Sequence, residues 1–156
     1  MLLYLLRHAE AVDQADSDAA RALTEKGITQ AHKAGKFCLK NKFIPAIILT
    51  SPLKRAEQTA RIVAREVKDA EFIIDPNLSA GMQPETALDE LKAYARFQSL
   101  MLVGHEPDFS LLAAHLLGIP IRESLRLRKA SLTAIKLTAM RPGAGVLHFT
   151  IPPKLM

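Results

Sequence analysis

Three short apolar runs in this chain each lead into an arginine or a histidine. The runs are residues 1–6, 46–49 and 99–103. The residues that follow them are, in chain order, Arg7 with His8, Arg55, and His105. Because ligands of open α/β sheets bind at the carboxyl ends of the strands, we expect these four side chains to meet at one sheet edge. Guanidinium and imidazole groups collected there favour an anion, and most of all a phosphoryl group.

Phosphoryl transfer needs fixed positive charge and hydrogen-bond donors around phosphorus, because negative charge builds on its equatorial oxygens in the transition state. Arg7 and Arg55 supply this charge with a planar fork that grips two oxygens. Either histidine can act as a nucleophile when it is unprotonated. The neighbouring arginines are expected to lower its pKa and keep it neutral at pH 7. Pro52 and Pro107 are expected to begin two helices whose N-termini add positive field at this edge.

The elements that must position these residues alternate between β-like and helical patterns. This alternation predicts a single three-layer α/β domain over residues 1–156, with a mostly parallel sheet, helices on both faces and no lid domain. The predicted helices are residues 24–41, 52–67, 84–95 and 107–118. Thr24 is the expected N-cap of the first helix. The apolar stripe predicted for that helix consists of Ile28, Ala31, Gly35, Cys38 and Leu39.

Composition narrows the class of protein. The chain has 156 residues, 49% of them hydrophobic, and a net charge of +5. Cys38 is the only cysteine, which excludes an internal disulfide and a cysteine-based zinc site. The basic stretch 122–129 lacks aromatic residues for base stacking, so we expect no nucleic-acid partner. The leading apolar run is too short for a signal peptide or a membrane span, and we expect a cytoplasmic protein without membrane association.

Three motifs now carry a resemblance to a known family. Arg7–Glu10 resembles the signature of the histidine phosphatase superfamily, the phosphoglycerate mutase-like proteins, in which glycine usually follows the histidine. Ser51–Thr59 is similar to the second motif of that family, and Val103–Pro107 to the third. The segment 17–24 and the short chain resemble the SixA-like phosphohistidine phosphatases of bacteria. The resemblance covers essentially the whole chain, in order.

The resemblance implies a covalent mechanism that uses neither a metal nor another cofactor. The histidine that matches His8 attacks phosphorus and becomes a phosphohistidine, which water then hydrolyses. Arg7, Arg55 and His105 match the residues that hold the phosphoryl oxygens. Arg21 matches an arginine beside the SixA-type site, and we expect it to contact phosphate or substrate. The side chains implied by the resemblance are therefore the same four that the strand ends had already indicated.

The resemblance also implies that one late strand, 131–137 or 146–151, runs antiparallel to the others. The chain departs from the mutase branch in two respects: it has no segment long enough to form a lid, and it lacks the proton-donating glutamate that this branch carries in the loop after the third strand. Here residues 77–81 contain no carboxylate. An alkoxide leaving group needs a general acid, whereas an imidazole leaves readily. This difference and the missing lid favour a substrate phosphohistidine displayed on another protein. Asp18 and Glu10 are the candidate proton donors.

Other classes of protein remain to be weighed. A small-molecule phosphomonoesterase is the alternative enzyme, and an inactive module that binds phosphate or phosphopeptide is the alternative outside enzymes. His8 and Glu10 match half of a zinc deaminase signature, but its Pro-Cys-x-x-Cys partner is absent. A metal site built on these residues and His105 would need a further ligand, and Arg7 and Arg55 would repel the cation. We therefore expect no metal.

Overall fold

The computed structural model describes residues 1–68, 70–120 and 125–156. The strands are β1 (Leu2–Arg7), β2 (Ile48–Thr50), β3 (Phe72–Ile74), β4 (Ser99–Gly104), β5 (Leu132–Leu137) and β6 (Gly145–Ile151). The helices are α1 (Glu25–Lys40), α2 (Lys54–Glu66), α3 (Pro84–Ala93) and α4 (Asp108–Leu117). Residues 122–124 of the basic stretch lie outside the described residues. Within the described ranges, every helix is too short or too polar to cross a membrane.

The six strands form one mixed sheet in the order β3-β2-β4-β1-β5-β6. β1, β4, β2 and β3 pair in parallel, whereas β5 pairs antiparallel with both β1 and β6. Of these six strands, β5 alone therefore runs against the others. The prediction of one antiparallel late strand is confirmed, and residues 131–137 contain it.

Side chains of β1 alternate between the two faces of the sheet. Leu3 and Leu5 pack in one cluster with the buried residues of α3 and α4. Tyr4 and Leu6 pack on the other face with the buried residues of α1 and α2. A strand buried on both faces reads as a continuous apolar run, as the opening of this chain does. The predicted α/β class with helices on both faces is confirmed.

α1 begins where the sequence indicates, but it turns a different face inward. The Thr24 hydroxyl accepts a hydrogen bond from the Gly27 N–H at 3.0 Å, which confirms the N-cap. The buried residues of α1 are Gly27, Ala31, Ala34, Gly35 and Cys38. Ile28 and Leu39, which we predicted to be buried, are 41% and 38% exposed. A Cβ on Gly35 would lie 2.5 Å from the Glu66 Cβ, so α1 meets α2 along its small residues.

α2 begins two residues later than the sequence predicts. The Ser51 hydroxyl accepts a hydrogen bond from the Leu53 N–H at 3.2 Å, and Leu53 has an extended backbone. A serine side chain that bonds nearby backbone competes with helix formation, so the chain turns through Pro52 before the helix starts at Lys54. α4 begins at Asp108, with Pro107 as its N-cap. The expectation that Pro52 begins a helix is therefore wrong, whereas for Pro107 it differs by one residue.

Candidate active site

The two histidines meet because their strands are paired neighbours. β1 and β4 run parallel, with Arg7 opposite Gly104, so the next residues emerge side by side. The His8 N–H also donates to the Gly104 carbonyl at 2.9 Å. The imidazole rings of His8 and His105 have centroids 5.2 Å apart. Their exposed fractions are 7% and 2%, so the pair is almost fully buried at the predicted sheet edge.

Local hydrogen bonding sets the proton position on His8. Its Nδ1 lies 2.7 Å from the carbonyl oxygen of Ala9. Because a carbonyl can only accept, Nδ1 carries the hydrogen and Nε2 keeps its lone pair. The pKa of His8 is lowered to about 3, chiefly because burial disfavours the charged ring; His105 and the two arginines add smaller effects. The predicted depression is thus present, but burial rather than the arginines is its main cause.

His105 is held by a residue that the sequence did not single out. Its Nε2 lies 2.7 Å from the Ser51 hydroxyl oxygen. That oxygen accepts from the Leu53 N–H, so the hydroxyl hydrogen can be donated to Nε2, leaving the ring hydrogen on Nδ1. Nδ1 is buried and has no hydrogen-bond partner among the described residues. Burial, with a smaller effect of Arg55, lowers the pKa of His105 to about 4. A neutral ring with a free N–H is a ready donor to a phosphoryl oxygen.

Arg7 is held by a backbone carbonyl. Its Nη1 donates to the Leu127 oxygen at 2.8 Å, while its Nε is buried without a partner among the described residues. The Leu127 N–H is in turn 3.2 Å from the Ser110 hydroxyl and 3.3 Å from a carboxylate oxygen of Glu106. Ser110 in the first turn of α4 and Glu106 just before that helix therefore hold the residue whose carbonyl binds the guanidinium of Arg7.

Arg55 is held by a carboxylate. It is 5% exposed, and it donates from Nη1 to the Asp18 carbonyl at 2.7 Å and from Nη2 to Asp18 Oδ2 at 3.0 Å. The other carboxylate oxygen of Asp18 accepts from Nη1 of Arg21 at 3.0 Å. Arg21 is anchored further by a bond from Nε to the Val12 carbonyl. Asp18 thus joins Arg21 to Arg55, and Arg21 reaches the site through that carboxylate.

The contacts of the two candidate proton donors argue against that role. Hydrogen bonds from Arg21 and Arg55 lower the pKa of Asp18. A hydrogen bond from Lys26, 2.8 Å away, is the largest of the causes that lower the pKa of Glu10. Both groups are therefore ionised at neutral pH and have no proton to give. Asp18 instead positions two arginines.

Two further residues hold the motifs together. The Thr59 hydroxyl accepts from the Ala9 N–H at 3.1 Å and donates to the Arg55 carbonyl at 2.7 Å. Gly104 precedes His105 because a Cβ there would lie 2.7 Å from the ring of Phe109. Within the described ranges, no cluster of three or more histidine, cysteine or acidic residues is placed to hold a metal ion.

The sequence identified the charged side chains of the site but missed the groups that orient them. Ser51 lies inside the second motif, and a hydroxyl next to a proline at a strand end is a weak signal that could have marked it. The Leu127 carbonyl has no signal in the sequence, because any residue supplies the same atom. Asp108 was also missed; its buried carboxylate accepts from the Gly81 N–H at 2.9 Å and ties the segment after β3 to α4.

Comparison with known proteins places this geometry in a family. The model of the histidine phosphatase superfamily (branch 1) matches residues 3–80. An uncharacterized protein of Picosynechococcus sp. is 34% identical over 149 residues, which cover 90% of this chain and 88% of that protein. The match therefore extends well beyond the two motifs in the first half of the chain.

Solved structures share the whole architecture. The protein histidine phosphatase SixA in complex with tungstate superposes with a TM-score of 0.90 at 22% identity, over 99% of this chain and 98% of that one. The alpha-ribazole phosphatase of Shigella flexneri gives a TM-score of 0.77 at 22% identity, over 96% of each chain. At these identities the likeness establishes the fold, which is the phosphoglycerate mutase-like fold of SixA.

Proposed function

The chain belongs to the histidine phosphatase superfamily, and from that premise we propose that it hydrolyses phosphohistidine carried by another protein, through an intermediate on its own His8. The observation that carries this proposal is the state of His8. Its ring is neutral, its Nδ1 is engaged by the Ala9 carbonyl, and its Nε2 keeps a lone pair. This nucleophile lies beside Arg7, Arg55 and His105, which are donors suited to a phosphoryl group.

In the first step, Nε2 of His8 attacks phosphorus as the bond from phosphorus to the substrate imidazole breaks. The bonding electrons leave with the substrate nitrogen, which takes a proton from water. Arg7 and Arg55 bind the equatorial oxygens while Nδ1–H of His105 donates to one of them. In the second step, water attacks phosphorus and the bond to Nε2 breaks. Inorganic phosphate is released and the lone pair of His8 is restored.

The substrate class is supported by the carboxylates of the site. Asp18 and Glu10 are both held as anions by basic neighbours, so they are poor general acids. A phosphate ester with a poor leaving group needs such an acid, whereas an imidazole leaving group does not. The likeness to the protein histidine phosphatase SixA supports the same class. A small-molecule phosphomonoesterase is the second candidate, favoured by the likeness to alpha-ribazole phosphatase.

A substrate panel separates these candidates. We expect kcat/KM for a phosphohistidine peptide to exceed that for sugar, nucleotide and aryl phosphates, because only the first has a leaving group that needs no acid. A higher kcat/KM for one of the esters would favour the second candidate. An absence of turnover of every compound in the panel would instead indicate a binding module without catalysis.

Trapping the intermediate tests the role of His8. Brief incubation with labelled substrate and an alkaline quench is expected to leave phosphate on His8, since a phosphoramidate is stable to base and labile to acid. His8→Ala is expected to abolish labelling and turnover. His148→Ala, which changes an exposed histidine of β6, is the matched control and is expected to keep both. Wild-type turnover by the His8→Ala protein would eliminate the covalent mechanism.

A further inference from the structure

The segment that precedes β5 lies directly against the active-site motif. The Ala130 N–H donates to the carbonyl oxygens of Arg7 and His8 at 3.1 and 3.2 Å. The Leu127 carbonyl accepts from the guanidinium of Arg7, and the Arg7 N–H donates to the Ser131 carbonyl at 3.3 Å. Residues 127–131 are therefore fixed on the two residues that begin the first motif.

Exposure alternates along this segment. Leu127 is buried in the core beneath α4, whereas Arg126 and Arg128 on either side of it are exposed, and Lys129 is half-buried. Residues two apart lie roughly 5.5–7 Å from each other, so the two arginines can engage separate groups on a partner. In the part of the chain that the structure describes, none of the three cations has an ion-pair partner within 4 Å. We name Arg126, Arg128 and Lys129 the basic rim.

The loop after β1, which also borders the site, carries a different set of charges. It holds Asp13 and Asp16, which are exposed, and Asp18, which is bound by two arginines. An acidic surface that approaches the site is therefore attracted by the rim and repelled by the exposed carboxylates of this loop. This asymmetry gives an acidic partner one preferred orientation.

We propose that the basic rim is the docking surface for an acidic protein whose phosphohistidine enters the site. This inference rests on the proposed function and names the partner that the same site serves. Arginine forks pair well with carboxylates, and cations exposed beside a site steer an acidic surface toward it. Residues 125–130 carry no aromatic side chain on which nucleic-acid bases can stack, so the rim fits a protein better than a nucleic acid.

The test uses two short synthetic peptides, each with one central phosphohistidine, flanked by glutamates in one and by lysines in the other. The wild-type protein is expected to favour the glutamate peptide about tenfold in kcat/KM at low salt, because three ion pairs at the protein surface act together. Salt screens exposed charges, so the preference is expected to vanish at about 0.5 M NaCl. All rates are divided by the turnover of free phosphohistidine by the same protein.

Charge reversal of the rim is expected to reverse the preference. The test protein carries Arg126→Glu, Arg128→Glu and Lys129→Glu together. The matched control carries Lys33→Glu, Lys36→Glu and Lys40→Glu, three exposed positions on α1 that change the net charge by the same amount. The control is expected to keep the wild-type preference, because its charges lie away from the site.

Each outcome bears on one proposal at a time. Hydrolysis of both peptides without a preference, or equal shifts in the two triple variants, would overturn the docking surface and leave the phosphohistidine activity standing. If neither peptide is hydrolysed, the proposed function fails. Fluorescence anisotropy of the unphosphorylated glutamate peptide then tests the basic rim independently of catalysis. If the peptide binds the wild type and the rim variant with equal affinity, the docking surface is overturned. Displacement of this peptide by a single-stranded oligonucleotide that binds more tightly would reassign the rim to nucleic acid.

Discussion

Arg7 and Arg55 flank the same pair of histidines but are held in opposite ways. Arg7 is half-buried, and a neutral backbone carbonyl of Leu127 accepts its hydrogen bond. Arg55 is almost fully buried, and the carboxylate and carbonyl of Asp18 accept two of its hydrogen bonds. Among the described residues, Arg7 has no carboxylate within ion-pair distance and only the more distant charge of Glu106, whereas the charge of Arg55 is partly neutralised by direct contact with Asp18.

The difference follows from burial. A guanidinium far from water is costly unless it is paired, so Arg55 needs a counterion that the more exposed Arg7 can do without. The loop after β1 supplies this counterion at the expense of some attraction for a phosphoryl group. We therefore expect Arg7 to supply most of the attraction for the phosphoryl group, while Arg55 is held in place by Asp18 and contributes a smaller electrostatic effect.

The largest expected effect comes from removing the arginines. Arg7→Ala and Arg55→Ala are each expected to lower kcat/KM by roughly 10²–10³, as the loss of one oxyanion donor does, with Arg7→Ala at the upper end. Arg61→Ala, an exposed arginine of α2 paired with Glu57, is the control. Steady-state kinetics on the phosphohistidine peptide provide the measurement. A greater loss from Arg55→Ala would contradict the comparison, and near-full activity of both would place the site elsewhere.

The histidines between the arginines predict an acid-sensitive fold. Their folded pKa values, about 3 and about 4, lie below the ordinary value of 6.5. Below pH 6.5 the unfolded chain therefore binds protons that the folded chain rejects, and stability falls as the pH drops. The free energy of unfolding is expected to fall by up to about 1.4 kcal/mol per pH unit for each histidine. Urea unfolding between pH 7 and pH 5 measures this slope. If a His105→Ala protein keeps the wild-type slope, the pH dependence of the free energy of unfolding does not come from His105.

Asp18→Asn tests the counterion directly. The substitution keeps the backbone carbonyl that binds Arg55 but removes the negative charge. We expect the affinity for tungstate or vanadate to rise several-fold, and stability to fall by about 1 kcal/mol or less because the Asp18 side chain is exposed. Inhibition constants and urea unfolding measure the two effects. Loss of turnover of aryl phosphates with poor leaving groups, with unchanged anion affinity, would instead make Asp18 the proton donor.

The smallest expected effect concerns the support of Arg7. Ser110→Ala removes one of the two acceptors that fix the Leu127 N–H and leaves Glu106 as the other. Loss of a single hydrogen bond of this kind is expected to lower kcat/KM about threefold. A loss as large as that of Arg7→Ala would show that Leu127 and its partners control the arginine far more tightly than one bond implies.

The sequence predicted the groups whose side chains carry the chemistry, and missed those that act through backbone or distant contacts. Arg7 and His8 could be predicted from the sequence because an apolar strand with a charged end is a local pattern. The Leu127 carbonyl lies 120 residues from Arg7 in the chain. Because every residue has a backbone carbonyl, the sequence cannot indicate which one binds Arg7. The inward face of α1 was misjudged because close packing against α2 at Gly35 outweighed the burial of Ile28. The start of α2 was misplaced because a serine side chain replaced a helical bond.

The central position of β1 has a consequence for how the molecule fluctuates. β1 is hydrogen-bonded on both sides, to β4 and to β5, whereas β3 and β6 are the edge strands of the sheet that the described residues form. Each β1 amide is held by one of these ladders and is covered by core side chains on both faces of the sheet, so we expect its exchange with heavy water to require close to global unfolding. Amides at the two edges open by local fraying. The catalytic motif directly follows this protected strand, and its geometry is expected to survive fluctuations that unravel the edges of the sheet.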